Sequence, residues 1–140
     1  MRIGITGSSG LIGGALEARL RANGDTVVPF VRRAAGAGEI HWDPVHGALL
    51  PTDLADLDAV VHLAGAGIGD HRWTDEYMRT VRESRVAGTA LLATAMASAA
   101  GAVDGAPSVL LSGSAVGVYG DMGDDAEPAD EQAPAGTGFL

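Results

Sequence analysis

Apolar and polar positions fall into blocks whose spacing changes from one to the next. A short apolar run, Arg2-Ile3-Gly4-Ile5-Thr6, meets a glycine-rich turn. Beyond it Leu11, Ile12, Ala15, Leu16 and Leu20 recur at helical spacing, with Glu17, Arg19 and Arg21 on the wetter side. This predicts a strand, a tight loop and a helix that stops at Asn23-Gly24-Asp25. A second strand is predicted from Thr26 to Val31 and a third from Ala59 to Leu63, both short runs of the kind buried in parallel sheets. Between them residues 34–58 are rich in Gly, Pro and Asp. Only Glu39 to Trp42 reads there as a weak strand, so a shortened crossover is expected. A long helix over Thr74 to Ala99, with Met78, Val81, Leu92 and Met96 available for its inner face, leads to another buried strand, Ser108 to Leu111. From Gly120 to Gly138 the chain is acidic and rich in Pro and Gly, the pattern of an exposed loop.

Strands alternating with helices and joined by right-handed crossovers define an α/β fold: a Rossmann-type doubly wound parallel sheet. Residues 1–140 are expected to form one such domain, ending after about the fifth strand. A hydrophobic content of 46% and a mean hydropathy of +0.17 are enough for a packed core. No apolar run is long enough to span a bilayer, and no basic leader with a cleavage site opens the chain, so a cytoplasmic protein without a membrane partner is expected. The absence of cysteine excludes disulfides, thiolate nucleophiles and cysteine-held metals. His41, His46, His62 and His71 lack metal-ligand spacing, and no metal is expected. A net charge of -9 repels phosphate backbones and argues against a nucleic-acid partner.

The turn after the first strand carries the most specific signal. Gly7-Ser8-Ser9-Gly10-Leu11-Ile12-Gly13 has the spacing GxxGxxG, directly after a strand and directly before a helix. In a dinucleotide site Gly7 takes the backbone angles of the tight turn, Gly10 lets a diphosphate approach the main chain, and Gly13 lets helix and strand pack closely. The phosphates then meet free N–H groups at the positive end of the helix dipole. No Gly-Lys-Ser or Gly-Lys-Thr follows, so a P-loop is excluded. An NAD-preferring fold usually ends its second strand in Asp or Glu, which holds the ribose hydroxyls. Here the strand ends Phe30-Val31-Arg32-Arg33. Guanidinium groups there attract a 2′-phosphate, so NADP is expected, with NAD still possible; of the two, Arg32 is the first candidate.

Taken together, these residues resemble the extended short-chain dehydrogenase/reductase superfamily, and within it the NAD-dependent epimerase/dehydratase-like "epimerase family" proteins. The resemblance continues through His41-Trp42-Asp43-Pro44, Asp58 to Gly65, Arg72-Trp73-Thr74, Ser84 to Thr89 and Ser112 to Gly120. It implies that Leu63, Ala64 and Gly65 lie against the adenosine side of the cofactor. It also implies that Ser114, or second Ser112, orients the substrate carbonyl or hydroxyl. In the superfamily a Tyr followed four residues later by Lys supplies the acid/base, the cation favouring phenolate. Neither Tyr77 nor Tyr119 has that Lys, and the position where the superfamily's Tyr falls is near Thr137-Gly138-Phe139-Leu140. Arg85 stands where many extended members carry an Asn that supports a proton-relay water, and it is the third catalytic candidate. Arg72, Trp73, Arg82 and Arg85 are candidates for a cationic, aromatic-lined patch at the carboxyl ends of the strands, with a solvated helix face the equal alternative for Arg82.

The expected activity is that of an NADP-preferring oxidoreductase or epimerase acting on a carbonyl or hydroxyl of a small molecule. The alternative is a non-catalytic module that binds or senses NADP(H). A homodimer remains open. The chain is expected to be the N-terminal part of such a protein, lacking the catalytic helix and substrate lobe, and therefore to bind cofactor weakly without turnover.

Overall fold

The structure, a computed structural model, describes residues 1–123 and 128–137. Its elements in chain order are β1 (Arg2–Thr6), α1 (Leu11–Ala22), β2 (Thr26–Val31), β3 (Ile40–His41), β4 (Ala59–His62), α2 (Asp75–Ala99) and β5 (Val109–Ser112). Short 3-10 turns occur at Pro51–Leu54 and Val116–Tyr119. The five strands form one sheet in the order β3-β2-β1-β4-β5, with every pairing parallel. This is the Rossmann-type α/β sheet expected from the sequence. Starting at β1, the chain first builds outward through β2 and β3, then returns to the other side of β1 for β4 and β5. A crevice therefore opens between β1 and β4 at the carboxyl ends of the strands, where the direction of winding reverses.

Side chains alternate across the sheet and divide the core in two. Ile3, Ile5 and Val27 point to one face, where Leu16 and Leu20 of α1 pack on them. Val28, Phe30 and Val60 point to the other, beneath Leu92, Ala95, Met96 and Ala99 of α2 and Leu54 and Leu57 of the connection before β4. Val81, Gly88, Leu92, Ala95, Met96 and Ala99 are the buried residues of α2, and their spacing is that of one helical stripe. Thr74 caps this helix, its hydroxyl accepting from the N–H of Tyr77 at 3.2 Å. Of the residues expected inside, Met78 is only half-buried.

Three expectations are corrected. In α1, Leu11 and Ile12 are 93% and 68% exposed and Ala15 is also exposed. Gly13 is pressed against the preceding turn, so the inward stripe is Gly13, Leu16 and Leu20, and the first two apolar residues project outward. β5 is not a buried strand: Val109 and Leu111 are 44% and 59% exposed, because among the described residues β5 is an edge strand paired only with β4. The weak strand expected at Glu39–Trp42 shrinks to Ile40–His41, and Trp42 is instead a core residue at 2% exposure, its ring edge-on to Phe30. After Gly120 the described residues lie outside helix and strand and are mostly exposed, as expected of a loop; Asp124, Asp125 and Glu127 of the acidic run lie outside the described residues. No helix of the described residues is long and apolar enough to cross a membrane.

Candidate dinucleotide site

At the crevice between β1 and β4 lies a groove of about 1180 Å³. That exceeds the roughly 300–1,000 Å³ of common small-ligand pockets. Its floor and walls come from three strand ends. Gly7, Ser8, Ser9 and Gly10 follow β1, Arg32 and Arg33 follow β2, and Leu63 to Gly67 follow β4; Thr80, Ser84 and Ala87 of α2 close one side. Of the expected cofactor residues, Gly7, Ser9, Gly10, Arg32, Arg33, Leu63, Ala64 and Gly65 thus meet in one groove. Leu11, Ile12 and Gly13 sit at the start of α1, beside the groove rather than in its lining.

The glycine turn is built by contacts that admit no side chain. Gly7 has φ +71°, and a Cβ there would lie 2.9 Å from the Ala64 nitrogen and the Leu63 carbonyl carbon. A Cβ on Gly13 would lie 2.1 Å from the Gly7 oxygen. Gly10 differs. Its absent Cβ would meet only the Gly7 oxygen, at 3.3 Å, so the fold has less need of a glycine here than at the other two positions. Gly10 is also the N-cap of α1 and offers no side-chain acceptor, and the first turn holds no acidic residue. Among the described residues the N–H groups of Leu11, Ile12 and Gly13 have no main-chain acceptor. A helix start left open in this way can hold an anion such as a diphosphate, which would accept those hydrogen bonds and face the positive end of the dipole.

Behind the turn lies a polar node in which His62, at the end of a buried strand, is satisfied by Thr6. The Thr6 hydroxyl oxygen accepts from the N–H groups of Leu63 and Ala64, each at 3.2 Å, and lies 2.6 Å from Nδ1 of buried His62. A hydroxyl has two acceptor sites and one hydrogen. With both acceptors used, its hydrogen goes to Nδ1, and the ring proton of His62 sits on Nε2. Thr6 therefore ties the end of β1 to the turn after β4 and holds the two walls of the groove at fixed separation. His62 is edge-on to Trp42 at 5.7 Å between ring centres, and α2 approaches it at Gly88, where a Cβ would lie 3.0 Å from Cε1. Burial pushes the His62 pKa below the usual 6.5 of an imidazole.

A second clasp holds the loop after β4. Both polar groups of Ala66 are taken by consecutive residues of α2: its N–H donates to Ser84 Oγ and its carbonyl accepts from Arg85, each at 3.0 Å. The Ser84 hydroxyl and the Arg85 guanidinium also donate to the Val81 carbonyl. Arg85 thus lies along the loop and is not among the residues lining the groove. Ser84→Ala is expected to cost about 1 kcal/mol by stranding one N–H, read as a lower denaturant midpoint at unchanged m-value. An unchanged midpoint would mean that water replaces the hydroxyl. Of the residues considered for a cationic patch, Arg85 is held along the Ala66 loop. Arg72 lines a separate hollow of about 420 Å³ with His71 and Tyr77, while the Trp73 indole donates to the Ile68 carbonyl at 2.7 Å.

The two arginines after β2 have different fates. Arg33 is held in a fork by Glu39, at 2.7 and 2.6 Å, and also donates to the Ala34 carbonyl. The guanidinium, with the Gly36 N–H, draws the Glu39 pKa down to about 2. Arg32 is exposed, lines the groove and has no hydrogen-bond or ion-pair partner among the described residues. Ser112 and Ser114 stand at and just beyond the carboxyl end of β5, exposed and outside the groove lining, with the Gly113 N–H bound to the His62 carbonyl at 2.9 Å. The basic residues number nine and are all arginine, so no Tyr–Lys pair exists within these 140 residues. Phe139 lies outside the described residues.

Residues 3–138 match the NAD dependent epimerase/dehydratase family. The epimerase family protein Mb2239 of Mycobacterium bovis is 45% identical over 139 residues, which is 99% of this chain and 44% of that protein. Among solved structures, human epimerase family protein SDR39U1 (isoform 2) with NADPH aligns at a TM-score of 0.81 and 33% identity, over 99% of this chain and 44% of that one. A nucleoside-diphosphate sugar epimerase from Corynebacterium glutamicum aligns at a TM-score of 0.78 and 34% identity, over 99% of this chain and 27% of that one. The chain therefore spans under half the length of these relatives.

Proposed function

The chain belongs to the NAD dependent epimerase/dehydratase family, and from that premise we propose that it binds NADP(H) in preference to NAD(H) and serves redox chemistry at a carbonyl or hydroxyl carbon of a small molecule. The open start of α1 holds the diphosphate, Arg32 reads the 2′-phosphate, and Leu63, Ala64 and Gly65 lie against the adenosine half. The nicotinamide, when bound, supplies the hydride acceptor or donor. Ser114, with Ser112 second, stands at the end of β5, where a hydroxyl can hydrogen-bond a substrate oxygen. The structure of a human relative with NADPH is in keeping with this reading. The observation that carries the preference is the contrast at the end of β2. Arg33 is already bound to a carboxylate, while Arg32 faces the groove with its charge uncommitted.

Calorimetric titration with NADPH and NADH tests it. Arg32→Asp is expected to weaken NADPH binding about tenfold to a hundredfold, the range of one charge-assisted contact. NADH binding should hold or improve, because a carboxylate there can accept from the ribose hydroxyls. Equal loss for both dinucleotides would sink the assignment of Arg32.

A second reading is a module that binds NADP(H) without turnover. It is favoured by the commitment of Arg85 to main-chain carbonyls. Substrate-dependent loss of NADPH absorbance, abolished by Ser114→Ala, would decide for the enzyme. Binding without turnover across carbonyl and hydroxyl panels would decide for the module.

A further inference from the structure

Arg33 lies at the 2′-phosphate end of the groove, yet its charge is spent inside the protein. Its guanidinium has five N–H donors. Two of them meet the two oxygens of Glu39, at 2.7 and 2.6 Å, and a third meets the Ala34 carbonyl at 2.9 Å. The main chain of Arg33 is pinned as well, its carbonyl lying 2.9 Å from Nδ1 of His41 in β3. Glu39 is braced by the Gly36 N–H at 2.8 Å, so the carboxylate, its side chain only 20% exposed, is the fixed partner. The Arg33 side chain is 65% exposed and is the member with room to move. Both residues line the groove.

We infer that Glu39 is a specificity-determining residue: by occupying Arg33 and placing a negative charge beside the phosphate subsite, it limits the affinity for NADP(H) and leaves discrimination from NAD(H) to Arg32 alone. A dianionic phosphate arriving at Arg32 meets a neutral ion pair on one side rather than a second cation. To recruit Arg33 it must displace a carboxylate already held in the bidentate geometry that suits guanidinium best. The inference rests on the dinucleotide site proposed above and extends it.

Glu39→Gln isolates the effect. The amide oxygen can still accept from Gly36, the volume is unchanged, and the charge that holds Arg33 is gone. In low-salt calorimetry, NADPH is expected to bind about tenfold tighter to Glu39→Gln than to the unmodified protein, the lower end for an exposed charge-assisted bond. NADH affinity should stay unchanged. The gain should shrink as ionic strength rises. It should also vanish when Arg33→Ala is added, because the freed guanidinium is what produces it. If the unmodified protein binds NADPH but Glu39→Gln binds it equally or more weakly, Glu39 organises Arg33 for the phosphate, and this inference fails while the dinucleotide site stands. If tighter binding survives the loss of Arg33, the mechanism through Arg33 fails in the same way. If the unmodified protein binds neither dinucleotide, the site itself is wrong and the inference falls with it.

Discussion

Gly13→Ala is expected to abolish NADPH binding, weakening it by more than about a hundredfold, and to destabilise the fold by about 1–3 kcal/mol or more as an overpacking change. The added methyl would sit 2.1 Å from the Gly7 oxygen and 2.8 Å from both the Gly7 carbonyl carbon and Ser8 Cα. All three are main-chain atoms and none can rotate aside. Relief requires the start of α1 to move away from the turn, and the free N–H groups of the helix then no longer converge with it. Gly10→Ala is the matched comparison: its nearest contact would be 3.3 Å, so stability should be nearly retained while binding suffers, because the methyl enters space the diphosphate needs. Calorimetric titration beside urea unfolding separates the two effects. Normal NADPH affinity in Gly13→Ala would show that the ligand does not use this turn.

Thr6→Val should be the other severe change, although the two side chains have nearly the same shape. Leu63 N–H retains the Thr6 carbonyl at 3.2 Å, but Ala64 N–H and His62 Nδ1 lose their hydroxyl partner. Two unsatisfied groups at a largely buried node cost about 2–5 kcal/mol together, and the turn after β4 loses its tie to β1. The same node has a pH signature. Folding holds His62 neutral, its pKa lowered by burial, so below 6.5 the unfolded chain takes up a proton that the native state resists. The contribution of His62 is therefore complete above 6.5 and declines as pH falls from 6.5 toward the folded value. Glu39, lowered to about 2 from 4.5, acts only in more acidic solution. His62→Asn, whose amide oxygen replaces Nδ1 as acceptor, should lower overall stability but flatten the profile between 6.5 and 4.5. A slope that persists in this variant would place its origin elsewhere.

Much of the scaffold could be read directly. β1 and β2 occur at the residues expected, and α2 begins one residue late because Thr74 serves as its cap. Strand runs and glycine turns are local, since alternation, φ preference and helix spacing are properties of neighbouring residues. Boundaries failed where the environment decided them. Leu11 and Ile12 look like core in a list of apolar residues, but the contact of Gly13 with the turn sets the rotation of α1 and turns them outward. Val109 and Leu111 look like a buried strand, but burial depends on what lies across the sheet.

The amino-acid order alone was sufficient to locate a glycine turn between strand and helix, two arginines at the adjacent strand end and a parallel α/β sheet. It was silent on which arginine is free, because Glu39 reaches Arg33 only once the loop between β2 and β3 has folded back. It was equally silent on the pairing of Thr6 with His62, which are 56 residues apart in the chain and 2.6 Å apart across the sheet, and on the peptide group of another loop that Ser84 and Arg85 hold. Hydrogen bonds and ion pairs act over a few ångströms in space, whatever the separation along the chain. The residues that tune this groove therefore acquire their roles from the strand pairing that brings them into contact.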